Sequence, residues 1–405
     1  PAVAAEHLPG RLQILIDAND PVSALRDFKH ALEQRPDLIV DGLFGIGLNR
    51  DLDEDHCDLV YAVTQAKIPV LAVDCPSGLN ADTGKAMGAA IMAKRTITLG
   101  TPKIGLLQPC ADDHVGTLEV ADRIGLSGDL PDSDKLWLTT ADMHGMPPER
   151  MPSSHKGVHG HVGIIAGSTG YHGAACLCAR AALRARPGLV SVFTPAYQAV
   201  ASHLQSTMVH PWNTDLVEPM SACTAMVIGP GLAGADVPDS LRMVASQMWR
   251  ESSMPIVGDA SALDWLPVGE TPGNATRVMT PHPGEAARML NCTTGNIQQD
   301  RFAATRQLAT TQAATIVLKG RHTIIGQADG PALVNPSGNS GLAQGGSGDV
   351  LAGFIGGLLA QPHFHNRAVQ AIAYAAWQHG HAADQLTTNG QYWGMDELIN
   401  TLGCR

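Results

Sequence analysis

Residues Gly341 to Ala360 read GLAQGGSGDVLAGFIGGLLA, a glycine-rich turn running straight into an apolar segment with one aspartate, Asp349, at the junction. Beyond Asp349, Val350, Leu351, Phe354, Ile355, Leu358 and Leu359 recur at helical spacing, which predicts a helix with one buried stripe. Gly353, Gly356 and Gly357 would each cost such a helix roughly 1 kcal/mol relative to alanine. Their presence predicts close packing against another element and a central place in the fold. At the helix start, Gly345, Gly346, Ser347 and Gly348 leave backbone N–H groups bare at the positive end of the helix dipole, a cradle for an anion. A carboxylate beside bound phosphate would be repelled. The conflict disappears if Asp349 is a general base that takes a proton from an attacking hydroxyl while the glycines hold the developing phosphate charge. The alternative is a first-turn aspartate favoured by the helix dipole alone.

Working outward, the runs HVGIIAGS, GLVSVFTP, AMVIGPG, MPIVGDA, RVMTPHPGE and TIVLKG read as strands, with a helical GAACLCARAALRA among them. The fold class is α/β, and in an open parallel sheet the ends of these strands would face one crevice. Lys319 ends TIVLKG, where its ammonium could meet phosphates or simply snorkel to solvent. His282 and Glu285 lie in a strand-to-helix turn with proline at the first helical position; His282 is a candidate ligand contact or a satisfied loop histidine. Gly229 to Leu232, GPGL, offers backbone that can approach a ligand closely, or a plain turn.

Upstream, DLIVDGLFGIG, IPVLAVDCPSG and RTITLG repeat the alternation between about Pro36 and Gly100. GLSGDLPDSD, from Gly125 to Asp134, has linker composition, so domains are expected at 1–134 and 135–405. In the first domain Asp41 and Asp74 each end a strand and Lys103 follows a third, which would converge acid and base at one sheet edge. Helix capping is the alternative for the aspartates.

Composition bounds the rest. The 405 residues, 44% hydrophobic and 16% charged, suffice for two domain cores. Net charge is −11 and the 27 basic residues are scattered without a Lys/Arg run, which argues against nucleic acid as a partner. The longest strongly apolar stretch, Val350–Ala360, is too short to span a bilayer, and no basic-then-apolar segment opens the chain. A soluble cytoplasmic protein without a membrane partner is expected. The eight cysteines are dispersed, with Cys176 and Cys178 on different faces of one helical pattern, and are read as reduced, mostly buried thiols. The small-residue-rich helices are compatible with a homo-oligomer, and the oligomeric state stays open.

The ordered set HKGVHGHVGIIAGSTGYHGAA, IGPGL, TPHPGEAARML, VLKGRHT and NPSGNSGLAQGGSGDVLAGFIGGLLAQ resembles the ADP-dependent NAD(P)H-hydrate dehydratase family, over nearly all of the chain from about Trp137 onward. Upstream, DGLFGIGL, VLAVDCPSGLNADTG and GTPKIGL are similar to the NAD(P)H-hydrate epimerase domain. The resemblance implies a partial Rossmann-like epimerase domain and a ribokinase-like α/β dehydratase domain, acting on the hydrates of NADH and NADPH. It implies phosphorylation of the added ring hydroxyl by ADP or ATP, with Mg2+ on the nucleotide phosphates, followed by elimination. Its hydrate-binding residues would be Ala174, Gly231, His282 and Asp349, and its nucleotide-binding residues Lys319, Gly320, Arg321, His322, Thr323 and Gly348, beside Gly345, Gly346 and Ser347 of the turn. In the first domain it implies Asp74 as the catalytic aspartate, Lys103 as its partner, and Asp41 and Ser77 as ligands of K+.

The first domain departs from the family pattern. No asparagine- and glycine-rich NNGGDG-type loop precedes Asp41, the chain opens Pro1-Ala2-Val3, and its first methionine is Met87. The expectation is that the natural start has been lost and that this chain epimerises hydrates little or not at all. Asn80 stands where the family usually has aspartate. Two rivals remain at this level: a ribokinase-like kinase acting on a hydroxymethyl group of a vitamin precursor or sugar, and a non-catalytic nucleotide-binding protein. TPHPGE, NPSGNSGLA and the upstream epimerase-like segments favour the dehydratase over the first. Asp349, Lys319 and His282 together argue against the second.

Overall fold

The computed structural model describes residues 20–403 except 123, 126–131, 213–215, 270, 274, 389 and 391. The chain divides into two compact units, Pro1–Leu130 and Pro131–Arg405. The division falls within the expected linker, of which residues 126–131 lie outside the described set.

In the first unit, β1 (Ile39–Asp41), β2 (Val70–Val73), β3 (Arg95–Leu99) and β4 (Thr117–Ala121) pair in that order, all parallel. Helices Pro21–Leu32 and Glu54–Gln65, capped by the side chains of Asp20 and Asp53, bury Phe28, Leu59, Val60 and Val63 with Val70 and Ile91. A parallel ladder needs such crossovers, and the short strands put Asp41 and Asp74 at one edge of the sheet.

The second unit holds a ten-stranded sheet. Its strands are β5 (Lys135–Trp137), β6 (His161–Ile165), β7 (Leu189–Thr194), β8 (Met208–Pro211), β9 (Ala225–Ile228), β10 (Ile256–Gly258), β11 (Arg277–Met279), β12 (Thr315–Leu318), β13 (Ile324–Gly326) and β14 (Ala332–Val334), in spatial order β5-β14-β13-β12-β11-β10-β9-β6-β7-β8. Pairing is parallel from β8 through β12, and β13 runs antiparallel to both neighbours. The central strands are apolar runs because both faces are covered. Val162, Ile164, Val227, Val257 and Val278 pack with helices His172–Arg184, Ser347–Leu359 and Ala368–Thr388. Ile165, Met226, Ile228, Ile256, Met279 and Ile316 pack with helices Asp239–Glu251, Pro283–Met289 and Arg301–Gln312 on the other face.

Helix Ser347–Leu359 is the central element, and every residue from Val350 to Leu359 is buried. The sequence pattern predicts one stripe; the structure buries the helix all round, because it lies between the sheet and two further helices. Its glycines face those neighbours. A Cβ at Gly353 would fall on the backbone of Cys178, one at Gly357 would stand 2.8 Å from Ala185 Cβ, and one at Gly356 would strike Val227 on β9. Among the described residues no helix is long and apolar enough to cross a membrane, and seven cysteines are free thiols.

Candidate active site

Gly346 caps the central helix in a left-handed conformation (φ 96°), which only glycine adopts without strain, and the N–H of Ser347 turns back to Gln344 O at 3.3 Å. Where Gly345 would carry a side chain, no protein atom lies within 4 Å. Asp349 is the third helical residue. Burial, with the charges of Asp259 and Glu285 working against that of Lys319, pushes its carboxyl up to about 7.

Those neighbours come from three other strand ends. Asp259 follows β10 and is buried; its Oδ1 accepts from Thr280 Oγ1 at 2.6 Å and from Lys319 Nζ at 2.9 Å. Lys319 follows β12, and its ammonium also stands 3.8 Å from Glu285. Burial disfavours that charge, but Asp259 and Glu285 outweigh it and hold the lysine above its ordinary pKa. A Cβ on Gly348 would lie 3.1 Å from Lys319 Nζ, so the absent side chain is what lets the ammonium reach the helix start. Glu285 is fixed by a capping box: its Oε2 accepts from His282 N at 2.7 Å, while His282 Nδ1 accepts from Gly284 N at 3.0 Å and Glu285 N at 3.3 Å. His282 is therefore a helix cap, and its half-exposed ring places Nε2 3.6 Å from Glu285 Oε1.

The flanking loops are tied to each other. Ser168 Oγ donates to Gly231 O at 2.6 Å and accepts from Gly234 N at 2.8 Å, while Thr169 Oγ1 donates to Asp236 at 2.7 Å. Gly231 takes φ +66°, and a Cβ there would lie 2.9 Å from Ala174 Cβ, so the resemblance-derived pair Ala174 and Gly231 is brought together. One turn along the same helix, Leu177 packs against Gly346. On the Lys319–Thr323 segment, Arg301 is buried and its guanidinium donates to the carbonyls of Arg321 (2.5 Å), His322 (3.4 Å), Leu318 (3.1 Å) and Lys319 (3.3 Å). His322 is turned inward beside Trp137, and burial holds it neutral with a pKa of about 3. Arg321 is the exposed side chain of that loop. Behind the glycine turn, buried His379 stands 3.4 Å from Ser347 Oγ, and burial depresses its pKa to about 4.

In the first unit Asp74 has φ +69°, an uncommon backbone state for a residue with a side chain. Its Oδ1 accepts from Lys103 Nζ and from Leu99 N at 3.0 Å, and Lys103 is held in addition by Thr98 Oγ1 (3.0 Å) and Leu99 O (2.9 Å). Burial raises the carboxyl, yet these donors outweigh it and leave its pKa below the ordinary value. Asp41 accepts from Ser77 Oγ at 2.5 Å and Ser77 N at 2.8 Å. Burial raises its pKa, and no basic group among the described residues acts against that. Asn80 accepts from Asp82 N, Thr83 N and Thr83 Oγ1 and donates to Leu48 O at 3.2 Å; an ionised aspartate lacks that donor.

Residues 162–402 match the sequence model of NAD(P)H-hydrate dehydratase, and residues 5–105 match that of the YjeF-related protein N-terminus. The chain belongs to the NAD(P)H-hydrate dehydratase family. It is 37% identical to the bifunctional NAD(P)H-hydrate repair enzyme Nnr of Coxiella burnetii over 91% of this chain and 75% of that one, and 38% identical to its Escherichia coli counterpart over 90% and 71%. In structure the dehydratase-family unit is similar to the ADP/ATP-dependent NAD(P)H-hydrate dehydratase of Bacillus subtilis co-crystallised with ATP/Mg2+, with TM-score 0.57, 28% identity, and coverage of 66% of this chain and 96% of that one. A ribokinase-like superfamily protein from Enterococcus faecalis aligns with TM-score 0.57 and 27% identity over 68% and 97% of the two chains.

The dehydratase-family site thus gathers Asp349, Gly348, Lys319 and His282, and, on an adjoining wall, Ala174 and Gly231. His322 is turned away from it. Sequence reasoning missed Asp259, Arg301 and His379. Asp259 had a local signal, an acidic residue closing the strand run MPIVGDA; the other two lie inside helices, and only folding brings them to the loops they hold.

Proposed function

We propose that the second unit dehydrates the (S)-hydrates of NADH and NADPH by nucleotide-dependent phosphorylation of the ring hydroxyl and elimination of phosphate, with ADP as the donor. The observation carrying this reading is a carboxylate poised near pH 7 at the mouth of a backbone anion cradle, with a charged lysine beside it. Asp349 takes the proton from the hydroxyl that is phosphorylated. The open Gly345–Gly348 turn receives the transferred group, and Lys319, held charged by Asp259, offsets its negative charge. Ala174, Gly231 and His282 would contact the hydrate, and Lys319, Gly320, Arg321 and Thr323 with Gly348 the nucleotide. Among the described residues no group of three or more His, Cys, Asp or Glu side chains is arranged to hold a metal, so Mg2+ would arrive with the nucleotide phosphates.

For the first unit, the Asp74–Lys103 pair supports exchange of the R and S hydrates, Asp74 acting on the added water and Lys103 facing developing charge. Asp41 and Ser77 would contribute oxygens to K+. The donor set suits a hard cation, and a buried carboxylate with no basic neighbour among the described residues leaves a charge for that cation to neutralise.

The deciding assay mixes the chain with (S)-hydrate and either ADP or ATP and follows the return of dihydronicotinamide absorbance. Recovery with ADP is expected, with Asp349→Asn slower by about 10²- to 10⁴-fold at unchanged ADP affinity. Equal rates in the variant would overturn the assignment of the base, and recovery with ATP alone would overturn that of the donor.

A further inference from the structure

Every group discussed for the second unit stands at the carboxyl ends of its parallel strands. The opposite, amino ends carry a separate concentration of charge. Arg150 and the turn Lys156–His159 precede β6, Arg186 precedes β7, and the turn Pro362–Arg367 follows the central helix. Backbone contacts stitch these segments together: Gly188 N donates to His159 O at 3.0 Å and Gly160 O at 2.9 Å, and a Cβ on Gly160 would fall on Ala360 O.

The side chains gathered there are of one sign. Arg186 bears on Arg150; Arg150, Arg186 and His155 bear on His159; His159, Arg150 and Arg367 bear on His363. Burial and these like charges depress the pKa of Arg150, His159 and His363 alike, and among the described residues no carboxylate stands among the groups acting on them. In a chain with 38 acidic and 27 basic residues this is not forced by composition. More telling, Arg150 Nη2 and His159 Nε2 are buried without a hydrogen-bond partner among the described residues. A desolvated guanidinium N–H and a desolvated ring nitrogen, left bare among like charges, destabilise the fold unless something else satisfies them. What satisfies all three conditions at once is an oxyanion: acceptor oxygens for both nitrogens, and negative charge for the cluster.

We propose that this end of the sheet is a second binding site, for a phosphate-class oxyanion held by the Arg150 guanidinium and the His159 ring N–H, with Arg186 adding charge at the rim. Free phosphate and the phosphoryl group of a larger metabolite share this chemistry. The site is distinct from the glycine turn in position and parts. There, backbone N–H groups and one lysine meet the anion beside three carboxylates; here, side chains of one charge meet it alone.

The test is equilibrium dialysis of the full chain against labelled inorganic phosphate at fixed ionic strength in chloride, with methyl phosphate as competitor. Phosphate-soaked crystals would locate the ion. Arg150→Gln is expected to weaken phosphate binding about tenfold or more, the effect of losing one charge-assisted donor pair. Arg186→Gln, on the exposed rim and unable to disturb the core, should weaken it about threefold. Both should leave the dehydration kinetics of the second unit unchanged. Competition by methyl phosphate would assign the site to a phosphoryl-bearing metabolite, and lack of competition to the free ion. The proposal is overturned by equal phosphate binding in all three proteins, by density confined to Gly345–Gly348, or by displacement of phosphate by chloride alone, the signature of an adventitious ion.

Discussion

Asp349 concentrates the chemistry of the second unit in one titration. Its pKa of about 7 sits where a base is half ionised at neutral pH, so the rate of hydrate dehydration should rise with pH through about 7 and level off above it. A pH–rate profile of kcat/KM checks this, and a flat profile between pH 5 and 8 would contradict it. The same shift has a stability consequence of opposite sense to the usual carboxylate. Because the folded pKa lies above the ordinary value of 3.8, the folded state binds the extra proton between these pH values, and stability falls as pH rises through that window. Asp349→Asn should therefore raise the Tm at pH 8, with a gain on the order of 1–3 kcal/mol, and the gain should vanish below about pH 4. With Asp349 as the proposed base, activity and stability would be opposed at this residue.

At the scale of the element, the central helix inverts the ordinary propensity rule. In an exposed helix Gly→Ala stabilises by roughly 1 kcal/mol. At Gly353 the new methyl group would collide with the Cys178 backbone, so Gly353→Ala should instead destabilise by about 2 kcal/mol or more in urea unfolding. A stabilised variant would mean that the helix His172–Arg184 does not pack as closely as described. The Leu318–His322 loop depends on Arg301 in a comparable way, since one guanidinium holds four of its carbonyls. Arg301→Lys keeps the charge but loses the fork, and should raise the KM for nucleotide about tenfold while leaving the KM for hydrate unchanged. A parallel rise in both constants would indicate a general loss of folding and not loop positioning.

At the scale of the whole molecule, the two candidate sites are built from residues of separate compact units. Substitutions should then sort cleanly. Asp74→Asn should remove any R-to-S exchange while changing the rate of S-hydrate dehydration less than twofold, and Asp349→Asn should do the reverse. An assay that starts from the pure R form separates the two, and loss of both activities in either variant would tie the sites together. Most of the framework was readable in advance. β6, β7, β9, β10, β11 and β12 coincide with apolar runs, because strands covered on both faces need no polar alternation. β5, β14 and β13 at one end of the sheet and β8 at the other were not singled out; each runs only three or four residues, too short for a period to emerge.

What the sequence by itself determined is local: a glycine turn that can only open a helix with bare N–H groups, small residues where a helix must be approached closely, and polar residues at strand ends. The tertiary structure decided how those residues behave. His282 became a helix cap, and Lys319 turned to Asp259 and Glu285, which lie 60 and 34 positions away in the chain. Asp349 acquired a proton affinity that no local pattern encodes. Backbone preference is written in neighbouring residues, whereas burial and Coulomb interaction depend on distances that exist only once β10, β11 and β12 lie side by side.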